Sequence, residues 1–278
     1  MIGAQPGSPP AEPALALLSE LAGAGPVRMR LLIVVAHPDD ETIGLGAQLR
    51  RLCDAQLLHV TDGAPRDGED AGAHGFATLA DYAETRRREL AAALAAGEAG
   101  GLRTAMLGLP DKEACLDLAG LSRRLARWLR RDRPAAVLTH AYEGGHPDHD
   151  AAAFAMHAAC RCLAAEDPPA IVEMPISHAV GGSMVTGVFL PGDREEVAVP
   201  LADADLRRKR RTIDCFRTQR ETLRCFELGP ERFRPAPDYD FRAPPHPGAL
   251  LYETYGWGIS GDDWRRRAAD ALGALGLD

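Results

Sequence analysis

Five short apolar runs alternate along the chain with longer segments whose apolar residues recur at helical spacing. The first run, residues 31–36, reads Leu-Leu-Ile-Val-Val-Ala and has no polar face. Such a run reads as a strand buried on both sides, the habit of parallel sheets. The other runs are residues 56–61, 103–107, 135–140 and 170–174. Between them, residues 42–52, 79–96, 116–131 and 150–164 carry helical patterns. Strand and helix in alternation imply βαβ crossovers. The expected fold is therefore α/β and Rossmann-like, three layers around a mostly parallel, doubly wound sheet. Residues 63–77, punctuated by Gly63, Pro65, Gly68, Gly72 and Gly75, read as a long loop.

The two ends of the chain differ from this middle. Residues 1–11 are rich in Pro, Gly and Ala and read as a mobile tail. A short helix is expected over residues 12–23, from Leu15, Leu17, Leu18 and Leu21, with Gly23 and Gly25-Pro26 stopping it. Residues 1–28 are thus set apart from residues 29–278, taken as one domain with a C-terminal elaboration from about residue 180. Within the elaboration, residues 184–190 and 195–199 flank Pro191-Gly192-Asp193 and predict an antiparallel hairpin. A helix follows over residues 203–216. Residues 229–248 hold six prolines and read as a covering loop, and residues 262–275 form a terminal helix.

Composition narrows the function classes. Of 278 residues, 46% are hydrophobic, enough for a sizeable core, and 26% are charged, which is ordinary for a globular protein. A net charge of −8 argues against general affinity for nucleic acid or anionic membranes. The run Arg207-Arg208-Lys209-Arg210-Arg211 reads as the solvated face of a helix. The six cysteines, Cys53, Cys115, Cys160, Cys162, Cys215 and Cys225, form no CxxC pair. That scatter suggests reduced thiols, not a disulfide framework or a cysteine zinc site. There is no signal-peptide pattern at the start and no run long enough for a membrane helix. A cytoplasmic protein is expected, without nucleic-acid binding or membrane insertion.

The candidate chemistry follows two of the strands. His37, Asp39 and Asp40 come just after the first, and His146, Asp148 and His149 just after the fourth. Ligands on open α/β sheets bind beyond the carboxyl ends of the strands. A catalytic zinc takes about three nitrogen or oxygen ligands and leaves one position open. Two matched His/Asp clusters at one end of a sheet suit that need. Either cluster alone also fits a plain turn, with proline fixing φ and aspartate capping the next helix.

The segment AHPDDE at residues 36–41, with HPDH at residues 146–149, resembles the PIG-L/LmbE-like deacetylases. That family acts on N-acetylglucosaminyl-phosphatidylinositol, on precursors of mycothiol and bacillithiol, and on antibiotic aminosugars. The resemblance covers residues 30–175. Thr61-Asp62-Gly63, the pair Arg86 and Glu89 on one helix, and Leu107-Gly108-Leu109-Pro110-Asp111 support it. It implies Zn2+ held by His37, Asp40 and His149, with Fe2+ as an alternative occupant. It implies that Asp39 is the general base toward zinc-bound water. His146 would then be either the oxyanion's partner or the acid for the leaving amine, with Asp148 orienting it.

Arg86 and Asp111 would contact sugar hydroxyls, although Arg86 also fits a surface charge run and Asp111 a turn. Glu41 is expected in a supporting role. One departure from the family is that Gly144-Gly145 precede His146, where some members carry a tyrosine; the nearest here is Tyr142. His178, His246, Trp257 and Trp264 read first as packing or surface, and otherwise as walls of an acyl or aglycone site. The implied reaction removes an N-acetyl group from a 2-acetamido sugar or its conjugate, releasing acetate and free amine. The alternatives are another N-acyl group, on a glycopeptide or thiol conjugate, and a non-catalytic sugar or metal binder. The implied partner is a small-molecule amidosugar, and a homo-oligomer is compatible.

Overall fold

A computed structural model describes residues 11–278. The tail expected over residues 1–11 lies outside the described residues except for Ala11, which opens the first helix, α1 (Ala11–Ala22). Then come β1 (Leu31–Val35), α2 (Asp40–Leu45), β2 (Ala55–Pro65), α3 (Glu69–Ala73), α4 (Leu79–Ala96) and β3 (Arg103–Asp111). The middle continues with α5 (Leu118–Asp132), β4 (Ala136–His140), α6 (Pro147–Cys162) and β5 (Ala170–Met174). The remainder comprises β6 (Ser177–Val180), β7 (Ser183–Thr186), β8 (Val197–Val199), α7 (Asp203–Ile213), α8 (Arg220–Leu223), β9 (Glu231–Pro235) and α9 (Gly261–Leu275).

The main sheet has seven strands in the order β3-β2-β1-β4-β5-β9-β8. The first five pair in parallel. The last two are added antiparallel. Along β1 the side chains alternate between two cores. Leu32 and Val34 join α5, α6 and α9 on one face. Leu31, Ile33 and Val35 join α1, α4 and Phe233 of β9 on the other. The alternation follows from the two-residue period of a strand, and it explains why the run has no polar position. Helix α6 is central to the first core, with Ala151, Ala152, Ala153, Ala155, Ala158 and Ala159 all buried. The Nε1–H of Trp264, on α9, donates to the Pro147 carbonyl at 3.1 Å and so pins the first turn of α6.

Several boundaries differ from expectation, each for a physical reason. The helix expected over residues 42–52 stops at Leu45 and gives way to a 3-10 turn over Leu49–Arg51. Gly44 lies within this stretch, where a Cβ would overlap the Met174 thioether; glycine's poor helix propensity shortens the element. The loop expected over residues 63–77 begins as an extension of β2, paired irregularly with β3, and contains α3. The hairpin is displaced upstream. Its strands are β6 and β7, joined through Gly181 and Gly182, both at positive φ. A two-residue turn needs that conformation, and two glycines supply it without strain. Residues 197–199 instead pair with β9 in the main sheet. The six cysteines are all free. No helix among the described residues is long and apolar enough to cross a membrane.

Candidate metal centre

The two motifs meet because β1 and β4 are neighbours in the sheet. Past Val35, the Ala36 N–H donates to His140 Nε2 at 2.9 Å, and the Ala36 carbonyl accepts from the Thr61 N–H and hydroxyl at 2.9 and 3.0 Å. The chain then turns through His37-Pro38-Asp39 into α2. Asp39 takes φ 144° and ψ −27°, a conformation ordinary side chains rarely adopt. Its carbonyl accepts from the Thr42 and Ile43 N–H groups at 2.9 and 3.0 Å, starting the helix. The His37 N–H donates to Asp40 Oδ2 at 2.7 Å.

The second motif turns just as tightly. Gly145 lies so close to the Ser177 carbonyl that a Cβ would overlap it. Asp150 Oδ1 gathers the Glu143 and Gly144 N–H groups at 3.2 and 3.0 Å. Pro147 opens α6, where its fixed φ and missing N–H cost nothing. His146 caps the helix, its Nδ1 accepting the Asp148 N–H at 3.1 Å. That bond leaves the proton on Nε2, so His146 presents a donor to the site.

His37, Asp40 and His149 converge. His37 Nδ1 lies 3.3 Å from Asp40 Oδ2, and His149 Nε2 lies 3.2 Å from Asp40 Oδ1. The far nitrogen of His37, Nε2, faces Asp111 Oδ1 at 3.0 Å and Asp148 Oδ2 at 3.2 Å. The rings of His37 and His146 are 4.5 Å apart. Asp148 therefore differs from expectation. Its carboxylate holds His37 and the N–H groups of Lys112 and Ala114, at 2.6 and 3.0 Å; only its main chain meets His146. The carboxylate facing His146 Nε2 is that of Asp111, at 3.8 Å.

Charge in the cluster is unbalanced. Asp39, Asp40, Asp111 and Asp148 are all buried there, and the arginine reaching them is Arg86. Burial would lower the His37 imidazole, but the Asp111 and Asp40 carboxylates outweigh it and hold it well above its usual range. Burial would raise Asp40, yet His149 and His37 hold it well below the usual carboxylate range. Burial pushes Asp39 well up against the pull of Arg86. Burial, reinforced by His37 and His149, keeps His146 well down and hence neutral.

Such a surplus of carboxylates suits a divalent cation. One ligand atom each from His37, His146 and His149 lie within 4.8 Å of one another, and so do one each from Asp40, His140 and His149, so several ligands can surround one ion here. His37 would bind through Nδ1 while its Nε2–H rests on a carboxylate, the arrangement that fixes a ligating imidazole. The donor set fits a metal ion.

The positions inferred by sequence for substrate contact are also here, in altered settings. Arg86 is 2% exposed; it donates to the Gly63 and Pro38 carbonyls at 2.8 and 2.9 Å and to Asp39 Oδ2 at 2.9 Å. Its neighbours Arg87 and Arg88 point outward and pair with Glu84. Asp111 is likewise buried, against His37. Trp264 is core, whereas Trp257 stands at the cluster, its ring 5.0 Å from His146. The residue that sequence reasoning missed is His140, 3.4 Å from Asp40 Oδ2 and stacked on His149 at 4.3 Å. Burial, then His149, lowers it to about 4. Its signal was available: a histidine closing the strand beside β1.

Fold and site together define an open α/β scaffold with a buried histidine–carboxylate cluster, able to hold a metal ion, beyond the carboxyl ends of its strands. Residues 32–160 match the family model described as PIG-L: GlcNAc-PI de-N-acetylase. The chain is 31% identical over 240 residues to the 1D-myo-inositol 2-acetamido-2-deoxy-alpha-D-glucopyranoside deacetylase of Nakamurella multipartita, covering 71% of this chain and 82% of that protein. It is 29% identical over 154 residues to the probable N-acetyl-alpha-D-glucosaminyl L-malate deacetylase 2 of Bacillus cereus, covering 54% and 66% of the two chains. Among solved structures, a deacetylase of teicoplanin biosynthesis superposes with TM-score 0.58 at 18% identity, over 77% of this chain and 99% of that one. The A40926 pseudoaglycone deacetylase gives 0.57 at 20% identity, over 75% and 97%. At those identities the structures speak to the fold. The chain belongs to the PIG-L family of de-N-acetylases.

Proposed function

We propose that this protein is a zinc-dependent deacetylase that hydrolyses the N-acetyl group of a 2-acetamido sugar in a small conjugate, releasing acetate and a free amine. The observation that carries the reading is the convergence of His37 Nδ1 and His149 Nε2 on Asp40, with Asp39 next in sequence and held by Arg86. The relatives named above support the sugar as substrate class. His37, Asp40 and His149 would hold the zinc, which when bound supplies Lewis acidity that polarises the amide carbonyl and acidifies water.

The remaining chemistry belongs to side chains. Asp39 takes the proton of the attacking water; its burial makes it a stronger base than a solvated carboxylate. Arg86 keeps that carboxylate aimed. The neutral His146 offers its Nε2–H to the oxygen on which negative charge develops. As the C–N bond breaks, the proton held by Asp39 passes to the departing nitrogen. Asp111 and Asp148 orient His37. The test is a panel of N-acetyl sugars and conjugates offered to the zinc-loaded protein, read by free-amine release. Release from 2-acetamido sugars is expected; release only from longer N-acyl substrates would contradict the reading.

A further inference from the structure

Glu41 and His59 take no part in the chemistry above, yet they are among the most deeply buried polar residues, both 0% exposed. His59 lies on β2, in register with Val35 of β1, so its ring sits beneath the turn that follows β1. Its Nε2 is 3.0 Å from Glu41 Oε2. The same Oε2 accepts the Asp39 N–H at 3.1 Å, and Oε1 accepts the Thr42 hydroxyl at 2.8 Å. The other ring nitrogen, Nδ1, is buried without a partner. An orphaned N–H there would cost more than an orphaned lone pair, so the proton belongs on Nε2, donated to Glu41.

The bond to Asp39 matters because of where it falls. A backbone at φ 144° on an aspartate is strained and persists only where its surroundings dictate it. Three contacts do so. The carbonyl starts α2, Arg86 takes the carboxylate, and Glu41 takes the N–H. The N–H contact runs through Glu41, whose carboxylate is itself tied to β2 by His59. We infer that His59 and Glu41 form a positioning pair that holds Asp39 in its working orientation. A buried carboxylate also needs a partner on stability grounds, and the test separates these two roles.

The inference rests on Asp39 acting as the base, as proposed above. Phenylalanine at position 59 removes the donor to Glu41, whereas glutamine can place an amide N–H near the former Nε2. H59F is expected to lower kcat roughly 10- to 100-fold, the usual effect of losing such a supporting contact, with KM and zinc stoichiometry unchanged. H59Q is expected to recover most of that loss. Equal kcat in H59F and wild type, or a loss in both variants that tracks zinc content or melting temperature, would overturn the inference.

Should H59F not fold, the wild-type chain decides by NMR. The Asp39 amide is expected to exchange slowly and the His59 ring to carry its proton on Nε2. A freely exchanging Asp39 amide or a proton on Nδ1 would overturn the inference. These readouts need no turnover, so an absence of deacetylase activity would count against the proposed function without touching them.

Discussion

Asp39 and Arg86 form a pair whose members are 6% and 2% exposed. Removing one partner of a buried pair strands the other charge and typically costs about 3–5 kcal/mol. R86M should lose stability of that order in urea unfolding. R86M with D39N should lose less than R86M alone, because the stranded carboxylate is gone. In activity, D39N should bind zinc normally and lose roughly 100- to 10,000-fold in kcat, the span of general-base catalysis. H37A should lose the metal itself, measured as zinc per chain after dialysis. Near wild-type turnover in D39N would sink the mechanism. The histidine–aspartate motifs were legible in sequence because their residue types and spacing are unusual. The partner of each was not: Asp148 sits two residues from His146 yet sends its carboxylate to His37, a choice made by how α6 approaches β3.

At the scale of elements, glycine sets how closely the second motif approaches the hairpin. A Cβ on Gly145 would overlap the Ser177 carbonyl at the start of β6, and backbone cannot swing aside as a side chain can. G145A should cost about 1–3 kcal/mol by overpacking and should displace His146 from the cluster, raising KM or lowering kcat. A G145A protein with unchanged melting temperature and kinetics would refute the close approach. The parallel strands were easy to read because each is buried on both faces and flanked by turns. The β6–β7 hairpin was misplaced because Pro191-Gly192 is a strong turn signal, while Gly181-Gly182 lies just past β5, where the sheet pattern had already ended.

For the molecule as a whole, buried carboxyls tie stability to pH. Burial raises Asp150 to about 8, opposed only in part by the Gly144 and Glu143 N–H groups. A group whose folded pKa lies above its unfolded value, near 3.9, contributes stability that is complete below that value. The contribution fades as pH rises through about 8. D150N cannot ionise. In metal-free protein, the stability of D150N relative to wild type should therefore climb between pH 4 and 8, by up to about 1.4 kcal/mol per unit. A difference independent of pH would show that Asp150 is not held protonated. Urea midpoints across that range supply the measurement.

The order of the sheet also has a history built into it. β5 pairs on one side with β4, which precedes it, and on the other with β9, which does not yet exist when β5 emerges from the ribosome. Glu173 of β5 and its partner Arg234 are 61 residues apart. At about 5–20 residues per second, that edge waits roughly 3–12 seconds for its neighbour. Throughout the wait β5 offers a bare row of backbone groups to any other extended chain. The nascent protein is thus most vulnerable to mispairing at the strand farthest along its parallel core, and a synonymous slowing of translation between the two strands would lengthen that exposure without changing one residue.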